Sequence, residues 1–173
     1  MYKLMRAKAI ILAVALNLSV AIAAMAVEPG APAPGFNAPT FDNKQIQLSD
    51  YRGKVVFVDF WASWCSPCRQ SLPMYSKLSG EFPAADFAVV AINVDENAED
   101  ARKFLAEHPV KYTTVQNPDG DIPRAFGING MPSSYLIDRD GTIRDRHVGF
   151  DPKDINTLRG EITKLIGKPA DAS

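Results

Sequence analysis

The residues of this 173-residue chain best suited to chemistry are its only two cysteines, which lie within four positions of each other. Cys65 and Cys68 occur in "DFWASWCSPCRQSLP", residues 59–73. A thiol reacts as its thiolate, so a working pair needs surroundings that stabilise negative charge on one sulfur. A Cys-x-x-Cys pair that opens and closes a short disulfide is therefore the first hypothesis, beside a structural disulfide or half of a metal site.

The elements on either side of the pair supply this stabilisation. The run "VVFVDFW" predicts a buried strand at residues 55–61, and residues 66–82 predict a helix. Cys65 then falls at the helix N-terminus, where free backbone N–H groups and the helix dipole favour an anion. Pro67 suits the first turn, where a missing N–H is no loss, and Cys68, one turn in, is the resolving thiol.

Asp59 is the candidate proton acceptor. It lies six residues before Cys65 within the apolar strand, so its side chain is expected to be buried against the cysteine end of the helix. A buried carboxyl has a raised pKa and can take a proton from Cys68 when that thiol attacks a mixed disulfide. The alternative is an exposed strand acid without a chemical role.

Strand and helix patterns alternate along the rest of the chain and end in a hairpin and a helix. The last helix is expected to start at Asp151, as its cap, with Pro152 in the first turn. A further helix is predicted at residues 97–108, and strands at "FAVVAINV", "YTTVQ", "SSYLID" and "TIRDRHVG". This order predicts an α/β layered fold with a mixed central sheet.

The first residues have the three-part pattern of an export signal. Three basic residues precede an apolar run, and small residues follow it up to Ala26. We predict a signal peptide at 1–26, with an uncleaved membrane anchor at 9–26 as the alternative. A Pro/Ala/Gly-rich linker at 27–35, a folded domain at 36–168 and a flexible tail at 169–173 complete the expected organisation.

The net charge argues against one class of function, and the predicted compartment implies a partner. Removing residues 1–26 takes away three of nineteen basic residues and no acid, which leaves sixteen against twenty and a net charge of −4. Such a chain has no basic excess that would favour nucleic acid. An exported dithiol, predicted to be periplasmic, is oxidised unless a partner reduces it, so function depends on an electron donor.

The stretch "GKVVFVDFWASWCSPCRQSLP", the helix at 97–108 and "GMPSSYLIDRDG" together resemble exported thioredoxin-like oxidoreductases of the TlpA/ResA-like (redoxin) family, over roughly residues 36–166. Pro73 matches the proline that kinks the active-site helix of thioredoxin. The resemblance implies a thioredoxin fold, a mixed central β-sheet flanked by helices, with an N-terminal β-hairpin extension and an inserted βα element. It also implies a protein-disulfide oxidoreductase without cofactor or metal, kept reduced by a membrane-embedded thiol reductant.

The resemblance also suggests a substrate-binding edge. Pro132 matches a cis-proline that lies beside the cysteines in the family. Met131 would present backbone groups to an extended segment of a disulfide- or thiol-containing protein, while its side chain covers the disulfide. Trp64 is expected to cover the site and contact the partner. A trans loop proline with a core methionine is the alternative.

Ser71 marks a departure from part of the family. Cytochrome-maturation members usually carry a glutamate three residues after the second cysteine, where this chain has Ser71. The dipeptide between the cysteines also lacks the histidine of strongly oxidising relatives, which favours a reducing or general role. Cytochrome c or metal-centre maturation therefore stays open as the pathway of an exported disulfide reductase.

Two other functions remain as alternatives. A thiol peroxidase-like redoxin would use Cys65 against peroxide, with an arginine and a threonine nearby, and Arg69 is the only base close to it. A copper-binding chaperone would use Cys65, Cys68 and His147, because thiolates suit Cu(I). Structural zinc needs about four ligands, and the two histidines are not spaced as a partner pair.

Overall fold

A five-stranded β-sheet with helices packed on it forms the centre of the protein. The computed structural model describes residues 26–167, so the predicted signal peptide, apart from its last residue, and the predicted tail lie outside the described residues. The strands are β1 (Asn37–Pro39), β2 (Gln45–Gln47), β3 (Val55–Trp61), β4 (Phe87–Asn93), β5 (Thr113–Gln116), β6 (Ser133–Ile137) and β7 (Ile143–Val148). The helices are α1 (Ser66–Ser79), α2 (Ala98–Glu107), α3 (Asp121–Ala125) and α4 (Asp154–Ile166).

The sheet is mixed, and its strand order is β5-β4-β3-β6-β7. Strands β3, β4 and β5 are parallel, whereas β6 runs antiparallel to both β3 and β7. Asp59, in the middle of β3, lies opposite Ala91 of β4 and Ser134 of β6. The separate β1–β2 hairpin is the predicted N-terminal extension. The mixed α/β architecture expected from the sequence is therefore confirmed.

Successive side chains of β3 face opposite sides of the sheet, as the strand period requires. Its even-numbered residues pack on the side that carries the N-terminal hairpin and Phe126. Its odd-numbered residues face α1 and α4: Phe57 packs in a core with Leu78, and Trp61 packs with the cysteines and Leu72. Asp59 shares this second face, between Phe57 and Trp61, so it lies under α1.

Two helix boundaries differ from the predicted ones. Helix α1 ends at Ser79, followed by Gly80, and does not continue to residue 82. Helix α4 begins at Asp154, so the prediction that Asp151 caps it is wrong. The Asp151 Oδ1 atom instead accepts a hydrogen bond of 2.9 Å from the backbone N–H of Lys153, because a short acidic side chain readily closes a turn of its own.

The Pro/Ala/Gly-rich segment 27–35 makes a turn at residues 29–30 and pairs with the start of β7. Gly30 N–H donates to the Ile143 carbonyl at 2.8 Å, and Ile143 N–H donates to the Ala31 carbonyl at 2.9 Å. Val27 and Ala33 are partly buried against the core. The segment therefore covers a sheet edge. Over the part of the chain that the structure describes, no helix combines the length and apolar character needed to span a membrane.

Candidate active site

The two cysteines form a disulfide at the N-terminus of α1. Cys65 is the residue that precedes the helix, in extended conformation, and its Cα lies 5.2 Å from that of Cys68. The backbone N–H of Cys68 donates to the Sγ of Cys65 at 3.3 Å, and Pro67 occupies the first turn. A thiolate on Cys65 would meet the same N–H group and the positive end of the helix dipole.

Access to the two sulfurs is unequal. Cys68 is completely buried, whereas Cys65 keeps 4% of its surface exposed and lines an open groove. Trp64 stands at the edge of this groove with 67% of its surface exposed, which is unusual for so large an apolar side chain. Other groove-lining side chains are mostly apolar: Pro67, Val94, Pro123, Ile128 and Met131. An incoming sulfur therefore reaches Cys65 first.

The loop before β6 forms the opposite wall of the groove. The Met131-Pro132 peptide bond is cis, as the resemblance implied. Pro132 is buried, and its carbonyl accepts a hydrogen bond of 2.8 Å from Gly149 N–H. Met131 is partly buried and packs in the same cluster as both cysteines. The structure thus brings the predicted docking residues to the disulfide.

Asp59 is completely buried beneath α1. Neither of its carboxylate oxygens has a hydrogen-bond partner among the described residues. Burial raises the pKa of Asp59 well above its usual value, because the charged form loses its hydration. Burial also raises the pKa of Tyr75 and of Tyr112, and the nearby Asp59 raises both further. Asp59 is thus a carboxyl that readily carries a proton in apolar surroundings.

Asp95 is a buried acid of this region whose contribution the sequence did not reveal. Its Oδ2 accepts hydrogen bonds from Ser63 N–H at 2.9 Å and from Asn93 Nδ2 at 2.7 Å, and its Oδ1 accepts from the Ser63 hydroxyl at 3.0 Å. These bonds fix the turn that leads from β3 to Cys65. In the sequence, Asp95 is seen only to follow the predicted strand "FAVVAINV".

Arg69 holds the same turn from the other side. Its Nε and Nη2 donate to the Ser63 carbonyl at 3.3 and 3.2 Å, and its guanidinium lies 5.6 Å from the centre of the Phe104 ring. The arginine that a peroxidase would need beside its nucleophile is therefore bound to a backbone carbonyl. This arrangement favours disulfide exchange over peroxide reduction.

Two further predicted positions lie within α1. Ser71 is buried, and its hydroxyl donates to the Cys68 carbonyl at 3.3 Å, so a neutral group occupies this position. Pro73 lies inside the helix, which continues past it to Ser79. Neither residue therefore ends the helix.

His147 does not join the cysteines. Its Nε2 lies 3.7 Å from Asp145 Oδ2 and 3.5 Å from Glu161 Oε2. Within residues 26–167, the group of potential metal ligands that contains His147 consists of these two acids and no sulfur. A copper site made of Cys65, Cys68 and His147 is therefore not formed, because β7 carries the imidazole toward α4.

Comparisons with known proteins agree with this geometry. The AhpC/TSA family model matches residues 29–146. Among curated relatives, the thiol-disulfide oxidoreductase ResA of Bacillus thuringiensis subsp. konkukian (strain 97-27) is 30% identical over 138 residues, covering 80% of this chain and 73% of the relative. The thioredoxin-like protein YneN of Bacillus subtilis (strain 168) is 33% identical over 126 residues, covering 71% of this chain and 73% of the relative.

Solved structures give the same result for the fold. A Chlorobium tepidum protein described as a thiol:disulfide interchange protein DsbE is 44% identical, with a TM-score of 0.79, and the match covers 82% of this chain and 100% of that one. A Bacteroides thetaiotaomicron protein described as a protein disulfide isomerase is 32% identical, with a TM-score of 0.74 and coverage of 83% and 96%. The thioredoxin fold and the redoxin resemblance predicted from the sequence are thus confirmed.

Proposed function

The chain belongs to the AhpC/TSA family and is a thiol-disulfide oxidoreductase, and we propose that it reduces protein disulfides outside the cytoplasm. The observation that carries the proposal is the Cys65–Cys68 disulfide at the N-terminus of α1, with one sulfur facing an apolar groove. In this state the pair is oxidised. Reduction by a donor prepares it for the next cycle.

The reaction consists of two thiol-disulfide exchanges. The Cys65 thiolate attacks one sulfur of the substrate disulfide, which forms a mixed disulfide and releases the first substrate thiolate. Cys68 then loses its proton and attacks the Cys65 sulfur, which releases the second substrate thiolate and restores the Cys65–Cys68 disulfide. Two electrons pass from the protein to the substrate. A dithiol donor returns them by the same steps in reverse.

Asp59 takes the proton of Cys68 in the second exchange. Asp59 accepts the proton in its carboxylate form, and its raised pKa makes that form a stronger base than an ordinary aspartate. Its position under α1, on the same face of β3 as Trp61, supports this role. Cys68 is itself completely buried, so bulk water does not reach its thiol directly.

The groove supplies the docking surface for the protein substrate. Trp64, Met131 and the backbone before Pro132 would contact an extended segment that carries the disulfide. The exposed indole of Trp64 offers a large apolar contact at little cost in side-chain entropy. Pro67 and Pro73 shape the helix that carries the cysteines.

The proposed compartment and electron donor are supported by the sequence pattern of residues 1–26 and by the family resemblance. A signal peptide at residues 1–26, or an anchor at 9–26, would place the domain in the periplasm, where a membrane-embedded thiol reductant supplies electrons. Cytochrome c or metal-centre maturation is the candidate pathway. Ser71, a neutral residue where cytochrome-maturation relatives carry an acid, favours a broader set of clients.

Two cysteine substitutions test the redox assignment. Cys65→Ser is expected to abolish reduction of insulin, whereas Cys68→Ser should retain the first exchange and accumulate covalently bound partners. The double variant Cys65→Ser/Cys68→Ser is the matched control and should trap nothing. Unchanged insulin reduction in both single variants would reject the assignment.

Trapping with Cys68→Ser in the native compartment also identifies the clients. A cytochrome apoprotein or a metal-site subunit among the trapped proteins would support the maturation pathway. A varied set of secreted proteins would instead support general disulfide reduction. Consumption of hydrogen peroxide by the wild type at a rate equal to insulin reduction would favour the peroxidase alternative.

A further inference from the structure

Three side chains with metal-binding atoms meet where β7 packs against α4, apart from the residues that line the groove. Asp145 and His147 come from β7, and Glu161 comes from α4. One ligand atom from each lies within 4.8 Å of the other two, and all three residues are half-buried. The cluster joins the last strand to the last helix.

The facing atoms of this cluster lack hydrogen-bond partners. The Nε2 of His147 and the Oε2 of Glu161 are both shielded from solvent and have no partner among the described residues. Buried polar atoms of this kind are almost always bonded to something. Their separation of 3.5 Å, and that of 3.7 Å from Nε2 to Asp145 Oδ2, exceed the length of a good N–H···O bond.

The same distances suit two ligands of one metal ion. Two donors that each lie about 2.1 Å from a tetrahedral zinc ion are about 3.4 Å apart. An imidazole and two carboxylates form a donor set that Zn²⁺ accepts, with a fourth position left for water. The set contains no sulfur, so it does not favour Cu(I).

The surroundings orient the ligands. The Oδ1 of Asp145 accepts a hydrogen bond of 2.7 Å from the Arg146 backbone N–H, which leaves Oδ2 to face the histidine. Carboxylates that bind metals are commonly held by such a bond through their other oxygen. Arg144, the other sequence neighbour of Asp145, donates to Asp138 at 2.8 Å, so its charge is engaged by a different acid.

Asp145 and Glu161 also bring two carboxylates to the same imidazole, and a divalent cation between them would offset their mutual repulsion.

We propose that Asp145, His147 and Glu161 bind one Zn²⁺ ion, which links β7 to α4. The site is separate from the dithiol and should bind zinc whether the cysteines are oxidised or reduced. Because two of its ligands lie on the edge strand and one on the final helix, the ion would stabilise the packing of α4 on the sheet.

Zinc titration of the oxidised protein tests the proposal, since the disulfide keeps both sulfurs from binding the metal. After treatment with EDTA and removal of the chelator, the protein competes with a chromophoric chelator for added Zn²⁺. We expect one ion per chain, and an affinity more than about 100-fold lower in His147→Ala and in Glu161→Gln, since loss of a ligand should exceed the effect of losing a supporting residue.

The matched control is His108→Ala, which removes the other histidine of the chain and should leave zinc affinity unchanged. Added Zn²⁺ should raise the Tm of the wild type and of His108→Ala but not that of the two cluster variants. Unfolding measured without zinc establishes that each variant folds, and His147→Gln replaces His147→Ala if the latter does not. Failure of the oxidised wild type to bind Zn²⁺, or binding that survives in both cluster variants, would overturn the proposal.

Discussion

Two buried aspartates near the active site have opposite surroundings. Asp59, within β3, has no hydrogen-bond partner among the described residues for either carboxylate oxygen. Asp95, just beyond β4, accepts hydrogen bonds from both donor groups of Ser63, its N–H and its hydroxyl, and from the Asn93 amide. Their exposed fractions, 0% and 4%, hardly differ. Burial alone therefore does not assign a role: the acid without donors is suited to exchange a proton, whereas the acid with several donors anchors a loop.

The largest expected effect is on stability, from removing the anchoring acid. Asp95→Ala would leave two groups of Ser63 and the Asn93 amide without their acceptor in a buried setting. We expect the free energy of unfolding to fall by about 3 kcal/mol, since hydrogen bonds to a charged group are worth about 1.5–3 kcal/mol. Urea denaturation of the oxidised protein at pH 7 measures it.

Glu96→Gln is the control for Asp95→Ala, because it removes one negative charge from an exposed neighbour. It should change the free energy of unfolding by less than about 0.5 kcal/mol. Equal effects of the two substitutions would show that Asp95 acts through its charge alone and would erase the contrast with Asp59.

The sequence was sufficient to predict those features of the active-site region that residues adjacent in the sequence determine. An apolar run on both sides of Asp59 indicated that the acid is buried, and a strand followed by Cys-x-x-Cys and a helix indicated where the pair lies. The order of strands and helices was enough to predict a mixed sheet. In these cases neighbouring residues determine the outcome through strand alternation and helix termini.

The remaining features depend on residues distant in the sequence. Asp95 meets Ser63, 32 positions earlier, only after β3 and β4 pair in register, so its sequence neighbours gave no sign of the contact. His147 likewise meets Glu161 through the packing of α4 on β7. The prediction that Asp151 caps the last helix was wrong because the residue types that cap helices, Asp among them, also occur in turns.

The second prediction concerns the acid without donors. Asp59→Asn is expected to slow the second exchange about 100-fold, because an amide cannot take the proton of Cys68. The first attack by Cys65 should stay near the wild-type rate. Stopped-flow mixing of the reduced protein with a chromophoric disulfide resolves the two steps.

Asp95→Asn serves as the matched substitution in this assay. It should affect both exchanges alike, because it perturbs the loop that presents Cys65 and not the proton transfer. If Asp59→Asn slowed both steps equally, its assignment as proton acceptor would be wrong.

The third prediction uses the pH dependence of stability. The folded protein keeps a proton on Asp59 that the unfolded chain releases above about pH 4, so the folded state binds more protons and stability falls as pH rises toward the raised pKa. With rising pH, the free energy of unfolding of the wild type should fall by at most about 1.4 kcal/mol per pH unit more than that of Asp59→Asn. Urea denaturation of oxidised wild type and variant from pH 4.5 upward measures the difference, and parallel profiles would contradict it.

The smallest effect on stability is expected for Arg69, the second residue that holds the turn at Ser63. Arg69 binds the Ser63 carbonyl from the exposed surface of α1, whereas Asp95 binds the Ser63 N–H from the buried side. Arg69→Ala should lower the free energy of unfolding by less than about 1 kcal/mol, because water can replace an exposed donor. Arg69→Lys, which keeps the charge, is the control in the same urea titration. If Arg69→Ala lowered the free energy of unfolding as much as Asp95→Ala, the cost would come from loosening the turn at Ser63. Whether the residue that holds the turn is buried or exposed would then not matter.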